Sequence, residues 1–311
     1  MDELYKKLKE YGRVRVNEPM ARHTNFKIGG PAAFFVEAKD TEKIVGLLNF
    51  LRGEGQEFFV LGSGTNVLFS DFGYEGTVVK IQNEKYKVSD EKIEADAGVL
   101  LRTIVETAAE NELTGMEWAA GIPGSVGGAA RGNAGAMGFD IAGCVEKVEV
   151  WRDGEVLNLR REDCEFGYRD SGFKHGGGVI LRVVFKFRRG DKKEILKTIH
   201  SYLEKRAKLP PEPSAGSFFK NIKLENWRGD KSELSPVFIE RKMIPAGWLC
   251  ENAGLKGMRA GGAAFSEKHG NFIINLGKAT SEDVMKLVET AKERVYNKFG
   301  VELEPEVEII K

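Results

Sequence analysis

The amino-acid sequence predicts an α+β fold class with more than one domain. Segments with the helical period of 3.6 residues and segments with the alternation of a strand both occur along the 311 residues, and no internal repeat is visible. The chain is 41% hydrophobic and 30% charged, which is typical of a soluble globular protein with well-filled cores. Two glycine-rich tracts, residues 62–66 and 121–138, leave room for a ligand to approach the backbone.

The first half of the chain contains both helix and strand patterns. Residues 2–10 are amphipathic, and Asp40 precedes a second helix whose apolar positions share one face. Helical periodicity returns over residues 100–111. The strands predicted in this half are residues 57–61, 77–81 and 92–96.

The second half begins with a predicted hairpin, because Asp153-Gly154 separates two alternating segments, residues 145–151 and 155–159. A strand over 179–187 and a helix over 191–208 follow, and Pro210 to Pro213 mark a domain boundary. Beyond it the patterns predict the last three elements, which are a helix over 244–252, a capped helix from Thr280 or Ser281 to Gly300, and a strand over 301–310.

Composition excludes several classes of function. The formal net charge is zero, so no basic surface for nucleic acid is expected. The charged start lacks a secretory signal and no apolar run approaches the roughly 18 residues of a membrane span, so we expect a cytoplasmic protein. The three cysteines are far apart and the four histidines lack ligand spacing, so neither a disulfide framework nor a metal site is predicted.

Three stretches indicate a ligand site. Gly62-Ser63-Gly64-Thr65-Asn66 follows a predicted strand and can turn backbone N–H groups toward an anion such as a diphosphate, although it is neither a P-loop nor a dinucleotide fingerprint. The tract at 121–138 has too little side-chain volume for an ordinary core, so one extended ligand could lie against both tracts; two unrelated loops are the alternative. Residues 214–221 read either as a pocket wall or as a turn followed by a short strand.

These residues resemble the UDP-N-acetylenolpyruvoylglucosamine reductase family, in eight motifs that occur in the family's order and run almost end to end. The matching segments are residues 23–31, 61–71, 121–138, 168–174, 215–221, 245–249, 254–257 and 303–307. The resemblance implies an FAD-binding fold of the vanillyl-alcohol-oxidase or PCMH type. It also implies three parts: a first FAD-binding subdomain over 1–82 joined by the strand at 301–311, a second over 83–208, and an α+β substrate-binding domain over 209–300.

The family reduces the enolpyruvyl ether of UDP-N-acetylglucosamine to the lactyl ether of UDP-N-acetylmuramate in peptidoglycan precursor synthesis, with electrons from NADPH through bound FAD. Hydride addition to the terminal methylene carbon leaves an enolate, which needs cations or neutral donors and one acid. By resemblance, Ser217 is the proton donor to the α-carbon, and Arg169 and Glu306 stabilise the enolate. A charged carboxylate would oppose this chemistry, so we expect burial to raise the pKa of Glu306.

The resemblance also implies binding residues. Those expected to contact FAD are Gly62, Ser63, Gly64, Thr65, Asn66, Gly121, Ile122, Pro123, Gly124, Ser125, Gly127, Gly128, Asn133 and Gly135. Those expected to contact substrate are Tyr168, Lys208, Asn221, Lys242 and His269. Met243 stands where the family often has a lysine, and whether Lys242 replaces that lysine is open. Met137 stands where a tyrosine is common. A monomer of the family's compact form, without an extra loop after Arg169, is expected.

Two other interpretations remain at this stage. A flavin-dependent oxidase of small hydroxy acids could share the fold, but Ser217, Arg169 and Glu306 have no obvious use in oxidising an alcohol. A non-catalytic module that binds nucleotide sugars could also share it, although no group needed for the reduction is missing. Anaerobic NADPH would bleach the flavin of a reductase and leave that of an oxidase unchanged, and a colourless protein that cannot be loaded with FAD would favour the non-catalytic module.

Overall fold

The computed structural model describes residues 2–311, which divide into two compact units. Unit 1 comprises the residues up to Glu18, Ala32–Ser63 and Glu75–Ala207; unit 2 comprises Pro19–Pro31, Gly64–Tyr74 and Lys208–Lys311. The helices are α1 (Asp2–Leu8), α2 (Thr41–Gly53), α3 (Leu101–Glu110), α4 (Val126–Arg131), α5 (Lys192–Arg206), α6 (Pro236–Glu240), α7 (Ala246–Asn252) and α8 (Ser281–Phe299). No helix among the described residues is long and apolar enough to cross a bilayer.

The strands are short and spread along the whole chain. They are β1 (Arg13–Pro19), β2 (Pro31–Ala38), β3 (Phe58–Leu61), β4 (Val67–Phe69), β5 (Tyr74–Ile81), β6 (Tyr86–Ser89), β7 (Lys92–Asp96), β8 (Leu113–Thr114), β9 (Gly135–Ala136), β10 (Phe139–Asp140), β11 (Val145–Arg152), β12 (Glu155–Arg160), β13 (Val179–Lys186), β14 (Arg188–Arg189), β15 (Ser214–Ser217), β16 (Ile222–Lys223), β17 (Met243–Ile244), β18 (Arg259–Ala260), β19 (Ala263–Phe265), β20 (Phe272–Asn275) and β21 (Glu308–Ile310).

Unit 1 is built on two larger sheets. One has the order β1-β2-β5-β3, with β3 and β5 parallel, and the other is an antiparallel sheet of order β12-β11-β13-β7-β6. The predicted hairpin is confirmed, with Asp153 at φ 53° and Gly154 at φ 100° in the two-residue turn between β11 and β12. The buried side chains of β7, β11, β13 and α3 share one core, which holds the second glycine tract in place.

Unit 2 contains a sheet of order β15-β20-β19-β18 beside the long helix α8. The predicted caps of α8 are confirmed, because Thr280 and Asp283 form a reciprocal capping box and Gly300 ends the helix at φ 65°. The apolar positions that recur along α8 are buried in the core of this unit. In the same unit β21 pairs in parallel with β4.

Three sequence predictions differ from the structure. The tract at 121–138 is not a continuous loop, since Val126–Arg131 form α4. The helix predicted from residue 244 begins only after Pro245, because a residue before proline is driven out of the helical region and Met243–Ile244 form β17 instead. The last strand is confined to Glu308–Ile310.

Candidate active site

Ser217 ends a strand that carries a bulge. Ser214 pairs with Ile274 and Ser217 with Phe272, so β15 has one more residue between these pairs than its partner β20. Gly216, at φ 79°, occupies the left-handed region that this extra residue requires. A bulge bends its strand and re-aims the next side chain, so the sequence Ala-Gly-Ser sets the direction of the Ser217 hydroxyl. Among the described residues no protein group accepts from or donates to that hydroxyl.

Glu306 lies on the chain that runs beside Ser217. The N–H of Glu306 donates to the carbonyl of Phe218 at 2.8 Å, and the N–H of Lys220 donates to the carbonyl of Glu304 at 2.9 Å. An isolated antiparallel bridge joins Phe219 to Pro305 between these two bonds. Within unit 2, the segment that carries Ser217 therefore lies beside the segment that carries Glu306, although these two predicted catalytic residues are 89 positions apart in sequence.

Asn271 fixes the segment that follows Ser217, and the sequence analysis did not identify it. Its Oδ1 accepts from the N–H of Phe219 at 2.9 Å and its Nδ2 donates to the carbonyl of Phe219 at 2.8 Å, while its own carbonyl accepts from the N–H of Phe218 at 2.7 Å. Asn271 is 3% exposed, so water does not replace these bonds. An isolated amide in a sequence gives no signal of such a long-range role.

His269 supports Asn271 through its ring. Nδ1 accepts from the N–H of Asn271 at 3.1 Å, which places the proton of the neutral ring on Nε2. Burial lowers the pKa of His269, a shift that Glu251 opposes, so the neutral form is favoured near neutral pH. The predicted substrate-binding residue His269 is thus connected through Asn271 to the segment that follows Ser217.

The other predicted substrate-binding residues of unit 2 differ in their surroundings. Asn221 Oδ1 accepts from the N–H of Ala246 at 3.0 Å, at the start of α7, where Pro245 offers no side-chain cap. Lys208 and Lys242 are exposed. Lys242 has φ 52°, and its carbonyl accepts from the N–H of Leu224 at 3.0 Å.

In unit 1, Tyr168 and Arg169 form the tip of a tight turn. Gly167 and Asp170 exchange both backbone hydrogen bonds, at 2.9 and 3.2 Å, and Arg169 takes a left-handed φ of 54°. The Arg169 guanidinium donates to the carbonyl of Gly135 and lies 5.2 Å from the centre of the Tyr168 ring. The ring and the carbonyl together restrict the orientation of the planar guanidinium.

The side chain of Asn133 joins this turn to the backbone at Ala142. Its Nδ2 donates to the carbonyl of Gly167 at 2.7 Å, and its Oδ1 accepts from the N–H of Ala142 at 3.1 Å. Asn133 is 2% exposed. Asn133 and Gly135 both belong to the second glycine tract. This tract therefore helps to position Arg169, in addition to the FAD contacts expected of it.

The two glycine tracts meet within unit 1 at Gly62 and Ser125. A Cβ on Gly62 would lie 2.6 Å from the Ser125 Oγ, so only glycine fits that position without movement. The Ser125 hydroxyl is buried and has no hydrogen-bond partner among the described residues, although Ser125 precedes α4 and could have capped it. Gly127 packs equally closely, since a Cβ there would lie 2.8 Å from the Cβ of Ala97.

Residues 64–66 of the first tract belong to unit 2. Gly64 has φ 69°, and a Cβ there would lie 2.0 Å from the carbonyl oxygen of His23. Asn66 Nδ2 donates to the carbonyl of Glu306 at 3.1 Å, and the Asn66 carbonyl accepts from the N–H of Glu308 at 3.1 Å. The predicted FAD-binding residue Asn66 therefore holds the chain segment that carries Glu306.

Comparison with known proteins places this geometry in a family. The family model for the UDP-N-acetylenolpyruvoylglucosamine reductase C-terminal domain matches residues 208–310, and that for an FAD binding domain matches residues 31–160. The UDP-N-acetylenolpyruvoylglucosamine reductase of Caldanaerobacter subterraneus subsp. tengcongensis is 42% identical over 314 residues, covering 100% of this chain and 97% of that protein. The reductase of the same name from Thermotoga petrophila is 40% identical, covering 94% and 97%.

A solved structure agrees with these matches. The crystal structure of UDP-N-acetylenolpyruvylglucosamine reductase from Thermus caldophilus superposes with a TM-score of 0.78 at 33% identity, covering 96% of this chain and 99% of that one.

The residues of unit 1 fit the FAD that such a domain binds. Gly62 and Gly127 let the two tracts pack closely within the protein, Gly62 against Ser125 and Gly127 against Ala97, and this packing places the Ser125 hydroxyl beside the first tract. A phosphate oxygen is a suitable acceptor for the buried, unpartnered hydroxyl of Ser125. The described residues contain no cluster of three His, Cys, Asp or Glu side chains able to hold a metal ion.

Proposed function

The chain belongs to the family of UDP-N-acetylenolpyruvoylglucosamine reductases, and from this premise we propose that it reduces the enolpyruvyl ether of UDP-N-acetylglucosamine enolpyruvate to the D-lactyl ether of UDP-N-acetylmuramate, with NADPH as the electron source. It is an FAD-containing oxidoreductase with the vanillyl-alcohol-oxidase type of fold. The observation that carries the mechanism is the hydrogen bond from the N–H of Glu306 to the carbonyl of Phe218, next to Ser217.

The reaction adds a hydride to the terminal methylene carbon and a proton to the α-carbon. FAD, when bound, would supply the hydride, with NADPH as the source of electrons. The electron pair of the double bond moves to the α-carbon and its carboxylate, so the protein must stabilise an enolate and then deliver one proton. We assign these two tasks to three side chains of the described residues.

Arg169 holds the substrate carboxylate. A guanidinium donates two parallel hydrogen bonds to a carboxylate, and its charge stabilises the additional negative charge of the enolate. The contacts of Arg169 with Tyr168 and with the Gly135 carbonyl support this role, because they orient the guanidinium plane before substrate binds.

Ser217 donates the proton to the α-carbon, and Glu306, in its protonated form, donates a hydrogen bond to the enolate. A serine hydroxyl is a weak acid, so its position and the basicity of the enolate must compensate. The bulge at Gly216 and the hydrogen bond between Glu306 and Phe218 support the assignment, because both constrain the Ser217 segment.

Tyr168, Lys208, Asn221, Lys242 and His269 complete the substrate site in this proposal. The lysines act as point charges toward the UDP diphosphate. His269, neutral because burial lowers its pKa, offers an N–H from Nε2.

The same proposal assigns a function to each part of the chain and a location to the protein. Residues 1–82 with 301–311, and residues 83–208, hold FAD, while residues 209–300 hold substrate; the match of a C-terminal family model to residues 208–310 supports the last part. The protein acts as a cytoplasmic monomer in peptidoglycan precursor synthesis.

Ser217→Ala tests the proton donor. NADPH should still reduce the flavin of the variant without air, because that half-reaction needs no proton from Ser217. Reoxidation by UDP-N-acetylglucosamine enolpyruvate should fall by at least about a hundredfold, the usual contribution of general acid catalysis. Ser201→Ala, at an exposed position of α5, is the matched control and should reoxidise at the parent rate. Normal reoxidation of Ser217→Ala would remove the assignment.

A further inference from the structure

Lys80 lies on the strand beside the one that leads into the first glycine tract. It stands on β5 directly opposite Leu61, the last residue of the parallel strand β3 before the tract begins. Its ammonium donates a hydrogen bond to the carbonyl of Gly62. The side chain is partly buried, and this burial lowers the pKa of Lys80 despite an opposing effect of Glu37.

This hydrogen bond sets the orientation of one peptide group. In a trans peptide the C=O and the following N–H point in opposite directions. Because the Gly62 carbonyl faces Lys80, the N–H of Ser63 faces away from it. Among residues 2–311 the N–H of Ser63 donates to no backbone acceptor. The hydroxyl of Ser125, buried near the Gly62 backbone, likewise has no hydrogen-bond partner within this range.

The charge of the partly buried Lys80 ammonium needs an interaction that offsets the cost of its burial. A neutral donor would satisfy the Gly62 carbonyl without the cost of partly burying a charge. No ion pair of Lys80 occurs among the described residues; Glu37 acts on it only as a nearby charge. An anion bound on the far side of the Gly62–Ser63 peptide would offset the cost, because its negative charge favours the ammonium form.

We propose that Lys80 is a positioning residue for the diphosphate of FAD: its ammonium orients the Gly62–Ser63 peptide as an anion-binding turn and supplies positive charge beneath it. The inference rests on the FAD binding stated above and names a residue outside both glycine tracts. Lys80 makes no contact with the cofactor in this proposal and acts through Gly62.

Lys80→Met keeps most of the side-chain length and removes the charge and the donor. Apoprotein of the parent and of the variant is titrated with FAD, with ADP and with riboflavin, and dissociation constants are measured by fluorescence or calorimetry. FAD and ADP should both bind at least about tenfold more weakly, the ratio that corresponds to about 1.4 kcal/mol. Riboflavin, which lacks the diphosphate, should bind as it does to the parent. Lys80→Arg should recover part of the loss.

Lys147→Met is the matched control, because Lys147 is an exposed lysine on strand β11 of the same unit. It should leave all three dissociation constants unchanged. The proposal is overturned if FAD binds Lys80→Met within twofold of the parent, or if riboflavin weakens as much as ADP, which would indicate a general loss of structure. Failure of the parent to bind FAD would instead contradict the proposed function.

The parent alone provides a second test that needs no variant. The diphosphate favours protonated Lys80, so FAD affinity should be constant while Lys80 is protonated in the apoprotein and fall as the pH rises through its pKa. Since burial lowers that pKa, the decline should begin below the pH at which an ordinary lysine, with a pKa of about 10.4, loses its proton. An FAD affinity that stays constant up to that pH overturns the proposal.

Discussion

Replacement of Asn271 by alanine should destabilise the protein through two specific buried groups. The side chain of Asn271 satisfies both the N–H and the carbonyl of Phe219, at 2.9 and 2.8 Å, and the residue is 3% exposed. Each buried polar group left without a partner costs about 1–3 kcal/mol, so the two together should lower the free energy of unfolding by about 2–6 kcal/mol. The same loss should loosen Phe218 and Phe219, which follow Ser217 and to which the N–H of Glu306 is bonded through the Phe218 carbonyl.

The assay is urea denaturation of the holoprotein, followed by circular dichroism, together with the rate of flavin reoxidation by substrate. Asn271→Asp keeps an acceptor for the Phe219 N–H but places a carboxylate oxygen against the Phe219 carbonyl, so it should also be destabilising. Asn252→Ala is the control, because the exposed side chain of Asn252 makes a single hydrogen bond with the described residues, to the carbonyl of Trp248. That change should stay within about 0.5 kcal/mol. A loss below about 1 kcal/mol for Asn271→Ala would refute the reasoning, since even one orphaned buried group should exceed it.

Two further changes test the glycine tract and the buried histidine. Gly62→Ala places a Cβ 2.6 Å from the Ser125 Oγ and should displace that hydroxyl, so FAD should bind at least about tenfold more weakly. Gly53→Ala is the control, because a Cβ there meets open space, and it should bind FAD as the parent does. Equal FAD affinities of the two variants in titration would contradict the close approach of Gly62 to Ser125. Burial lowers the pKa of His269, so the unfolded chain takes up the proton first and the free energy of unfolding should fall as the pH drops below about 6.5. His269→Gln should flatten this decline in denaturation curves between pH 5 and 7, estimated from the ordinary histidine pKa, whereas His200→Gln at an exposed site should not.

Local signals in the sequence were sufficient for elements whose ends carry specific chemistry. Asp40 accepts from the N–H groups of Glu42 and Lys43 at the start of α2, as the sequence predicts. Asp153-Gly154 forms the predicted hairpin turn. These features depend on contacts within a few residues, which a sequence displays directly.

Elements that depend on distant partners were missed or misjudged. The continuous apolar run in β2 has no alternation to separate a strand from a buried helix. The glycines within α4 argued for a loop, yet Gly127 allows the close packing against Ala97 that holds the helix in place. Residues 301–307, predicted as part of the last strand, contain only an isolated bridge from Pro305 to Phe219, a long-range partner that the local sequence does not show.

The candidate site was predicted from motifs shared with a family, and residue patterns alone were not sufficient to predict it. Resemblance predicts that Ser217 and Glu306 act in one reaction, and the hydrogen bond from the N–H of Glu306 to the carbonyl of Phe218 shows how unit 2 brings their segments together. Asn271 and Lys80 carry no motif, because each acts on a backbone group that the sequence does not show. Such positioning residues become visible only when hydrogen-bond partners are known.

An anaerobic titration of the purified holoprotein tests the central claim most directly. One equivalent of NADPH should bleach the visible absorbance of the flavin, and one equivalent of UDP-N-acetylglucosamine enolpyruvate should restore it, with a product heavier by two hydrogen atoms. A flavin that ignores NADPH, or a reduced flavin that this substrate leaves bleached, would contradict the account.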